Sequence, residues 1–554
     1  MSRIKKILLF VLIIFVLTST WFVHRVIYSF PVESNTKINE QNLVQISPTH
    51  FVLNNSWLRL NKYGNWECYI EGNGYDRGRT LGILQKKLGE EQEEVFLNEI
   101  DKQIPSWFLK KLLTFGIAWF NRDLDSYIPI EYRTEIFGIS EFFSDKFDDI
   151  GPKYNRIINY HAAHDIGHAV QNMHLVGCTA LGSWQFDSIH QQMIIGRNFD
   201  FYFGDDFAKN KVILISNPTK GYKSISVSWP SFIGVVSGIN EKGLGITLNS
   251  DISEIPTHSG TPVSIIARDI LQYASTIQEA IDISNKYTSF VSESFTISSV
   301  IDQRIAVIEK TPNSTGVYFS ATDTIIVTNH FQSNELKGIP LNIAHIANSE
   351  SVKRFERTAE LISSSDSLGF KQVAEILRDQ KGMRGRNIGL GNPMALNQLL
   401  AHHAVIFDNV NKFIWVSTYP YQVNKMNAYS LNSISSLGSN IVKFPIVIDS
   451  LEVAEDPFLY SEGFKHYEKY KNIKEIIIKA TNENTEVKKT LIAEFVNVNP
   501  NYYETYRLLG NYFSATKDAK SAIKNYEISL KKDIAYQEDR EFIEAQISKL
   551  KLDD

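Results

Sequence analysis

The order of helical and strand-like segments constrains the fold of this chain most. Between residues 75 and 150, apolar residues such as Leu81, Leu84 and Leu88 recur at helical spacing. From residue 178 to about residue 417 the pattern changes to short apolar runs divided by turns, as in 211–215 and 224–227. Strand blocks that are segregated from helix blocks predict an α+β fold of packed layers, not alternating βα units.

The last hundred residues have a different character, because they are almost wholly helical and rich in Lys and Glu. Tyr506, Leu509, Gly510 and Tyr526 fall on the spacing of a tetratricopeptide repeat, in which small residues let two helices approach. We therefore expect a main domain over 57–455 and a tetratricopeptide-like tail over 456–554, with a protein partner for the tail. A helical extension packed on the main domain is the alternative, since such repeats usually need about three units for stability.

The N-terminus carries a targeting signal. Arg3, Lys5 and Lys6 precede an apolar stretch that runs from residue 7 to residue 23, and no small-x-small cleavage site follows it. This pattern predicts a signal-anchor over 1–25, a polar stalk over 26–56 and an exported body held at the membrane. The alternative is a cleaved signal peptide and a secreted protein.

The charge and the cysteine content of the chain limit the classes of function that it can have. The 57 basic and 62 acidic side chains give a formal net charge of −5, and no basic stripe stands out, which argues against a nucleic-acid partner. Cys68 and Cys178 are the two cysteines. In an exported protein they could form one disulfide, or one of them could be a free reactive thiol.

The residues around Cys178 favour the reactive thiol. A nucleophilic thiol needs a lowered pKa or an adjacent base, and a chain cut immediately before Cys178 would supply its own α-amine as that base. An unperturbed α-amine has a pKa of about 7.7 to 8.0, so it can accept a proton near neutral pH. Gly177 suits such a cut because it leaves the scissile carbonyl open to attack in a tight turn.

The segment Gly196-Arg-Asn-Phe-Asp-Phe201 is expected to form the second strand of a hairpin that begins at Cys178. Arg197 and Asp200 are close enough along it to flank one site. Their odd spacing requires a bend or bulge that re-aims one of the two side chains.

Several short motifs follow one another along the chain: Gly-Cys-Thr at 177–179, Gly-Arg-Asn-Phe-Asp at 196–200, Asn-Glu-Lys-Gly-Leu-Gly at 240–245, Val-Thr-Asn-His-Phe at 327–331, the arginine of Val-Lys-Arg-Phe-Glu-Arg at 352–357, and the last hairpin. In these motifs and their order, the chain resembles, over residues 64 to about 420, the penicillin acyltransferase family of cysteine N-terminal-nucleophile (Ntn) hydrolases, which is related to choloylglycine hydrolase and acid ceramidase.

That resemblance implies a four-layer αββα core, self-cleavage between Gly177 and Cys178, and a small acyl amide or thioester as substrate, with no cofactor. It makes Cys178 the nucleophile and base, while Arg197 would stabilise the thiolate and Asp200 would hold the α-amine. Asn249 and Asn329 would contribute near the oxyanion. Arg354 would be the distal arginine of the site, with Arg357 as the alternative.

Two other functions stay open from the sequence. His161, His164, Asp165 and His168 share one face of a helix at metal-ligand spacing, to which His402 and His403 could add, and this set would suit a metal-dependent hydrolase. A non-enzymatic scaffold tethered to the membrane, with a partner-binding tail, is the other alternative.

Overall fold

Two β-sheets form the centre of this computed structural model, which describes residues 16–31, 36–163, 165, 177–254, 256, 258–365, 367–437 and 444–553. One sheet has eleven strands in the order β1-β2-β3-β4-β7-β8-β9-β10-β11-β12-β13, and the other has six in the order β14-β5-β6-β15-β16-β17. Neighbouring strands are antiparallel except β4 and β7, which are parallel.

The strands are β1 Leu43–Ser47, β2 His50–Leu53, β3 Ser56–Leu60, β4 Trp66–Gly72, β5 Thr179–Phe186, β6 Gln191–Phe199, β7 Val212–Pro218, β8 Ser224–Ser228, β9 Ser237–Asn240, β10 Leu244–Ser250, β11 Glu293–Ser299, β12 Arg304–Lys310, β13 Thr315–Tyr318, β14 Thr324–Val327, β15 His403–Asp408, β16 Phe413–Ser417 and β17 Met426–Ser430.

The α-helices are α1 Gly74–Leu84, α2 Lys86–Gln103, α3 Trp107–Phe120, α4 Leu124–Tyr127, α5 Ile130–Ser140, α6 Lys153–His161, α7 Val263–Tyr273, α8 Ile277–Asn285, α9 Pro340–Asn348, α10 Ser351–Ser363, α11 Phe370–Leu377, α12 Leu431–Leu437, α13 Glu462–Glu483, α14 Lys489–Val498, α15 Tyr503–Ala515, α16 Ala519–Ser529 and α17 Gln537–Asp553.

The two sheets pack face to face with helices on both outer sides. A shared core between the sheets joins Ile195 and Val405 of the six-stranded sheet to Ile213 of the larger one. A second core lies between the larger sheet and helices that include α7, and a third packs α11 against the outer face of the smaller sheet. The predicted α+β class is confirmed, and the layers follow the order helix, sheet, sheet, helix.

The predicted stalk over 26–56 differs from the structure in its second half. Residues 43–53 form β1 and β2, which extend the edge of the large sheet next to β3. Val44 and Ile46 alternate with polar residues along β1, which is a strand pattern, although both side chains are exposed in the structure.

The predicted N-terminal membrane anchor is wrong. Within the described part of the chain, the structure contains no helix long and apolar enough to cross a membrane. Residues 16–26 are helical and pack on α3, where Trp21 lies 5.4 Å from Trp119 between ring centroids. Residues 1–15, which hold most of the apolar stretch, lie outside the described residues.

The C-terminal tail consists of helices α13 to α17, as the sequence predicts. The helices α15 and α16 approach closely at Gly510, where an added Cβ would lie 2.4 Å from the ring of Tyr526. The tail also packs on the main domain, since Met394 contacts its apolar core. The structure thus confirms a helical extension, whereas a tetratricopeptide identity stays a prediction.

Candidate active site

Cys178 lies directly before β5, in the hairpin that β5 and β6 form. The antiparallel register pairs Ala180 with Arg197, which brings the arginine opposite the start of β5. Its Nη2 donates to Cys178 Sγ over 3.3 Å, and both side chains are completely buried. The hairpin therefore places a guanidinium beside the thiol, as the sequence predicts for these two residues.

Arg197 is held in place by its surroundings. Its Nη1 donates to Ser237 Oγ over 3.2 Å, and its Nη2 also donates to the carbonyl of Leu248. The guanidinium lies 4.1 Å from the centre of the Phe199 ring. Planar, multidentate contacts of this kind fix the orientation of an arginine in a way that a lysine ammonium cannot reproduce.

The thiol is protonated in the uncut chain. Burial raises the pKa of Cys178 to about 11, although the nearby Arg197 opposes the shift. Desolvation disfavours the thiolate more than one guanidinium favours it. A base or a more polar environment is needed before such a thiol can act as a nucleophile near neutral pH.

Asp200 follows the last residue of β6, Phe199, so the alternation of side chains along the strand need not extend to it. Burial raises the pKa of the Asp200 carboxyl to about 8, with Arg354 and Arg197 opposing the shift. Its backbone carbonyl accepts from Gly177 N–H over 3.0 Å. Among the described residues its Oδ1 has no hydrogen-bond partner. A buried carboxyl oxygen without a partner among the described residues thus belongs to a residue whose backbone contacts Gly177.

Gln398 belongs to the site, although sequence reasoning missed it. Its Nε2 donates to the Gly177 carbonyl oxygen over 3.2 Å and to Asp200 Oδ2 over 3.5 Å. A Cβ at position 177 would lie 3.0 Å from that nitrogen and 3.6 Å from Arg354 Nη2, so glycine leaves room for both groups. Gln398 stands in an irregular segment with no motif, and only its position in the fold reveals it.

The structure separates the two candidate distal arginines. Arg354 Nη1 donates to the Cys178 carbonyl over 2.6 Å and to Thr179 Oγ1 over 2.9 Å. Arg357 instead donates from Nε and Nη2 to the carboxylate of Asp379, over 2.9 and 3.0 Å. Arg354 therefore contacts the backbone of Cys178, and Arg357 makes a bidentate ion pair with Asp379.

The two asparagines lie near the site, but their amides are already engaged. Asn249 Nδ2 donates to the carbonyls of Val327 and Thr328, each over 3.1 Å. Asn329 Nδ2 donates to the Ser250 carbonyl over 2.6 Å, and its Oδ1 accepts from Arg354 Nη2 over 2.6 Å. In this arrangement the asparagines brace the ends of β10 and β14, and an oxyanion role stays a prediction for both.

The histidine face that suggested a metal is only partly described, since His164 and His168 lie outside the described residues. His161 uses both ring nitrogens: Nδ1 contacts the Ile157 carbonyl at 2.8 Å, and Nε2 accepts from Ile233 N–H over 3.0 Å. A ring with both nitrogens bonded to backbone has none left for a metal. Over the described ranges, no group of three or more His, Cys, Asp or Glu residues could hold a metal ion.

His402 and His403 are connected to the thiol site through the hydroxyl of Ser237. Their Nδ1 atoms lie 2.8 Å apart, and His403 Nε2 lies 3.0 Å from Ser237 Oγ, the hydroxyl that Arg197 also contacts. Burial lowers the pKa of both imidazoles well below the ordinary value. The pair is therefore neutral and supports the position of Arg197.

Cys68 and Cys178 are both free thiols, so the disulfide alternative does not hold in this structure. Cys68 is buried in β4, where burial raises its pKa to about 12. Such an environment keeps a thiol protonated and unreactive.

Comparison with known proteins gives a partial match over the main domain. Residues 189–386 match the family model described as acyl-coenzyme A:6-aminopenicillanic acid acyl-transferase, a segment that includes Arg197, Asp200, Asn249, Asn329 and Arg354 but begins after Cys178. Among curated proteins, an uncharacterized protein of Archaeoglobus fulgidus is 23% identical over 236 residues, covering 40% of this chain and 38% of that protein. Protein dcd1B of Dictyostelium discoideum is 25% identical over 236 residues, covering 39% of this chain and 44% of that protein. The chain thus spans about two fifths of each relative's length.

Solved structures that are similar include a Caenorhabditis elegans ortholog of N-acylethanolamine-hydrolyzing acid amidase, with a TM-score of 0.28 and 19% identity, covering 42% of this chain and 93% of that one. A mutant of conjugated bile acid hydrolase from Clostridium perfringens has a TM-score of 0.30 and 16% identity, covering 46% of this chain and 93% of that one. Over residues 189–386 the main domain is therefore similar to the acyl-coenzyme A:6-aminopenicillanic acid acyl-transferase family.

Proposed function

We propose that this chain is a cysteine Ntn amidohydrolase or acyltransferase that cleaves its own Gly177–Cys178 bond and then works through an acyl-Cys178 intermediate. One observation carries the proposal: the Arg197 guanidinium lies 3.3 Å from the Cys178 thiol, directly beside a Gly177 carbonyl that Gln398 holds over 3.2 Å. A nucleophile, a cation for its thiolate and a donor for the carbonyl oxygen thus converge on one peptide bond.

Self-cleavage would begin with attack of Cys178 Sγ on the Gly177 carbonyl carbon. The C–N bond breaks, the thiol proton passes to the leaving nitrogen, and Gly177 is carried as a thioester on Sγ. Water then hydrolyses the thioester, which releases Gly177 as a carboxylic acid and leaves Cys178 with a free α-amine and a free thiol. Gln398 would stabilise the oxyanion that develops on the Gly177 oxygen.

In the cleaved enzyme the α-amine would accept the thiol proton, and Arg197 would stabilise the thiolate. The thiolate attacks the substrate carbonyl carbon, and the leaving nitrogen or sulfur takes the proton from the ammonium. Asp200 is suited to hold the amine, because its buried Oδ1 has no other partner in the described structure. The acyl group then passes from Sγ to water or to an amine.

The family description pairs a thioester donor, an acyl-coenzyme A, with an amine acceptor. The bond that this chain would cut in itself is an amide. From the thioester donor of that family and the amide bond of the proposed cut, we infer that the substrate is a small acyl amide or thioester. The same site would carry out hydrolysis or acyl transfer, depending on whether water or an amine reaches the thioester first.

The decisive experiment is electrophoresis and N-terminal sequencing of the purified protein. We expect two fragments, 1–177 and 178–554, with the second beginning at Cys178, and one intact chain for Cys178→Ala. Cys68→Ala is the matched control, because it removes the other buried thiol and should leave the cut unchanged. An active wild-type enzyme without a fragment that starts at Cys178 would contradict the mechanism.

A further inference from the structure

A cleft of about 820 Å³ lies between the main domain and the C-terminal helices. Tyr202, Asp205 and Tyr421 line it from the main domain, and residues of α13, α15 and α17 form the facing wall. Pockets of roughly 300 to 1,000 Å³ are the usual size for small-molecule sites. The tail therefore encloses a space large enough for a substrate.

This cleft, named here the tail cleft, reaches the candidate active site. Gln398 lines it, and the same side chain donates to the Gly177 carbonyl over 3.2 Å. Tyr536 of the tail also lines it and is close enough to Arg354 and Glu350 to feel their charges. One side chain thus separates the cleft from the reacting carbonyl.

The tail holds this wall in a fixed place. Asn499 makes two hydrogen bonds with Leu390: its Oδ1 accepts from the Leu390 N–H over 3.1 Å, and its Nδ2 donates to the Leu390 carbonyl over 2.8 Å. Tyr467 Oη donates to the Leu399 carbonyl over 3.3 Å, one residue after Gln398. The tail helices therefore support the segment that carries Gln398 into the site.

The tail cleft has an excess of negative charge. Three cationic side chains line it, and each is paired: Lys471 with Asp205 over 2.8 Å, Lys474 with Glu504 over 2.9 Å, and Arg507 with Glu504 over 3.3 Å. Six carboxylates face these three cations, namely Asp205, Glu468, Glu475, Glu504, Glu538 and Asp539. Water-poor clefts focus such a field and attract charge of the opposite sign.

Aromatic rings in the tail cleft already hold an ammonium group. Seven tyrosines line it, and Lys471 Nζ lies 5.4 Å from the ring centre of Tyr421 and 5.7 Å from that of Tyr467. Tyrosine faces bind cations through their quadrupole. Tyr470 also lines the cleft, and its ring stacks on Phe495 in the apolar core of the tail.

We propose that the tail cleft binds the body of the substrate and selects amides or thioesters that carry an ammonium or guanidinium group away from the scissile bond. This inference rests on the proposed function, because it assigns the substrate class of that same site. The helical tail is then a wall of the substrate site.

The test uses processed full-length enzyme and N-phenylacetyl amides of lysine, norleucine and glutamate, which differ in charge at nearly constant shape. A second set, with the charge on the acyl side, pairs 6-aminohexanoyl, hexanoyl and adipoyl groups with one amine. In at least one set we expect kcat/KM to be highest for the cationic member, by roughly tenfold over the anionic one, and the ratio to fall with added salt.

Glu475→Lys should reduce that cationic preference by roughly threefold to tenfold, because it reverses one charge on the cleft wall. Glu483→Lys is the matched control, since it reverses an exposed charge on the same helix but outside the cleft, and it should leave the preference unchanged. Equal turnover of all three charge states, unaltered by Glu475→Lys, overturns the tail-cleft proposal and leaves the proposed function standing.

Failure of the processed enzyme to turn over any member would instead count against the proposed function. Equilibrium binding of the lysine and glutamate amides to the same protein then tests the tail-cleft proposal separately. Tighter binding of the lysine amide, weakened by Glu475→Lys, supports the cleft, and equal binding overturns it.

Discussion

Gln398 Nε2 donates a hydrogen bond of 3.2 Å to the carbonyl oxygen of Gly177, a residue 221 positions earlier in the chain. In the proposed self-cleavage, a donor at this place lies where negative charge would develop on the carbonyl oxygen. The segment that holds Gln398 is anchored by the C-terminal helices through Asn499 and Tyr467. The C-terminal helices therefore support a side chain of the proposed active site around Gly177.

Removal of this donor should slow self-cleavage. We expect Gln398→Ala to cut the Gly177–Cys178 bond roughly 10² to 10³ times more slowly than wild type, the usual cost of losing one oxyanion donor. The rate is measured from the decay of the full-length band after synthesis. Gln422→Ala is the control, because it removes a buried glutamine amide whose contact is with the Leu377 carbonyl. Equal cleavage rates in both variants would remove Gln398 from the mechanism.

Substitutions of the two arginines of α10 should affect different properties, turnover for Arg354 and stability for Arg357. Arg354→Met removes contacts to the Cys178 carbonyl and to Asn329, so we expect turnover to fall about a hundredfold, as small displacements of reacting groups can cause. Arg357→Met breaks the pair with Asp379 and should lower the free energy of unfolding by about 1–3 kcal/mol. Its turnover per folded molecule should stay near wild type. Steady-state kinetics and urea unfolding of both variants decide the assignment, and the reverse pattern would make Arg357 the site arginine.

Arg197 should be needed for chemistry more than for stability. Arg197→Lys keeps a positive charge but loses the planar group that contacts Cys178 and Ser237 together. In chain that is already processed, we expect at least about a hundredfold loss of turnover with little change in melting temperature.

Arg268→Lys provides the matched control for Arg197→Lys. Arg268 is equally buried and contacts Ser216 and Gln272, away from the thiol. Its substitution should lower the melting temperature and leave turnover per folded molecule unchanged. A similar loss of turnover in both variants would mean that any buried guanidinium of this domain has the same effect.

The sequence predicts the local parts of this site well. The hairpin of β5 and β6 follows from a pattern of a few residues, and the structure contains it. Cys178 and Arg197 meet because a hairpin has one register once its turn is placed. Local periodicity is sufficient for such contacts.

Long-range features could not be predicted in this way. Gln398 stands in an irregular segment, and its partner is distant in sequence, so no periodic pattern marks it. The strands β1 and β2 are short runs of four or five residues, and which strand they pair with at the edge of the large sheet is set by contacts outside those runs. His161 shares a helical face with other histidines in the sequence, but tertiary contacts to backbone occupy both of its nitrogens.

The last prediction concerns the pH dependence of stability in the uncut chain, with Cys178→Ala as the background. Burial raises the pKa of Asp200 to about 8, whereas an unfolded aspartate has a pKa of about 3.9. Between about pH 4 and pH 8, the folded chain therefore keeps a proton on Asp200 that the unfolded chain has lost. The stability that this proton contributes is complete below about pH 4 and is lost as the pH rises through about 8.

Asp200→Asn cannot titrate, so it should not lose this stability. We expect the melting temperature of Asp200→Asn minus that of its parent to increase by roughly 3 °C or more between pH 5 and pH 8. Asp187→Asn is the control: hydrogen bonds from His190 and Ile189 N–H lower the pKa of this exposed carboxylate, so it is ionised in both states over that range and its difference should stay constant. Calorimetry at several pH values gives both differences. A constant difference for Asp200→Asn would mean that Asp200 is already ionised in the uncut chain, with its charge balanced by Arg354 and Arg197.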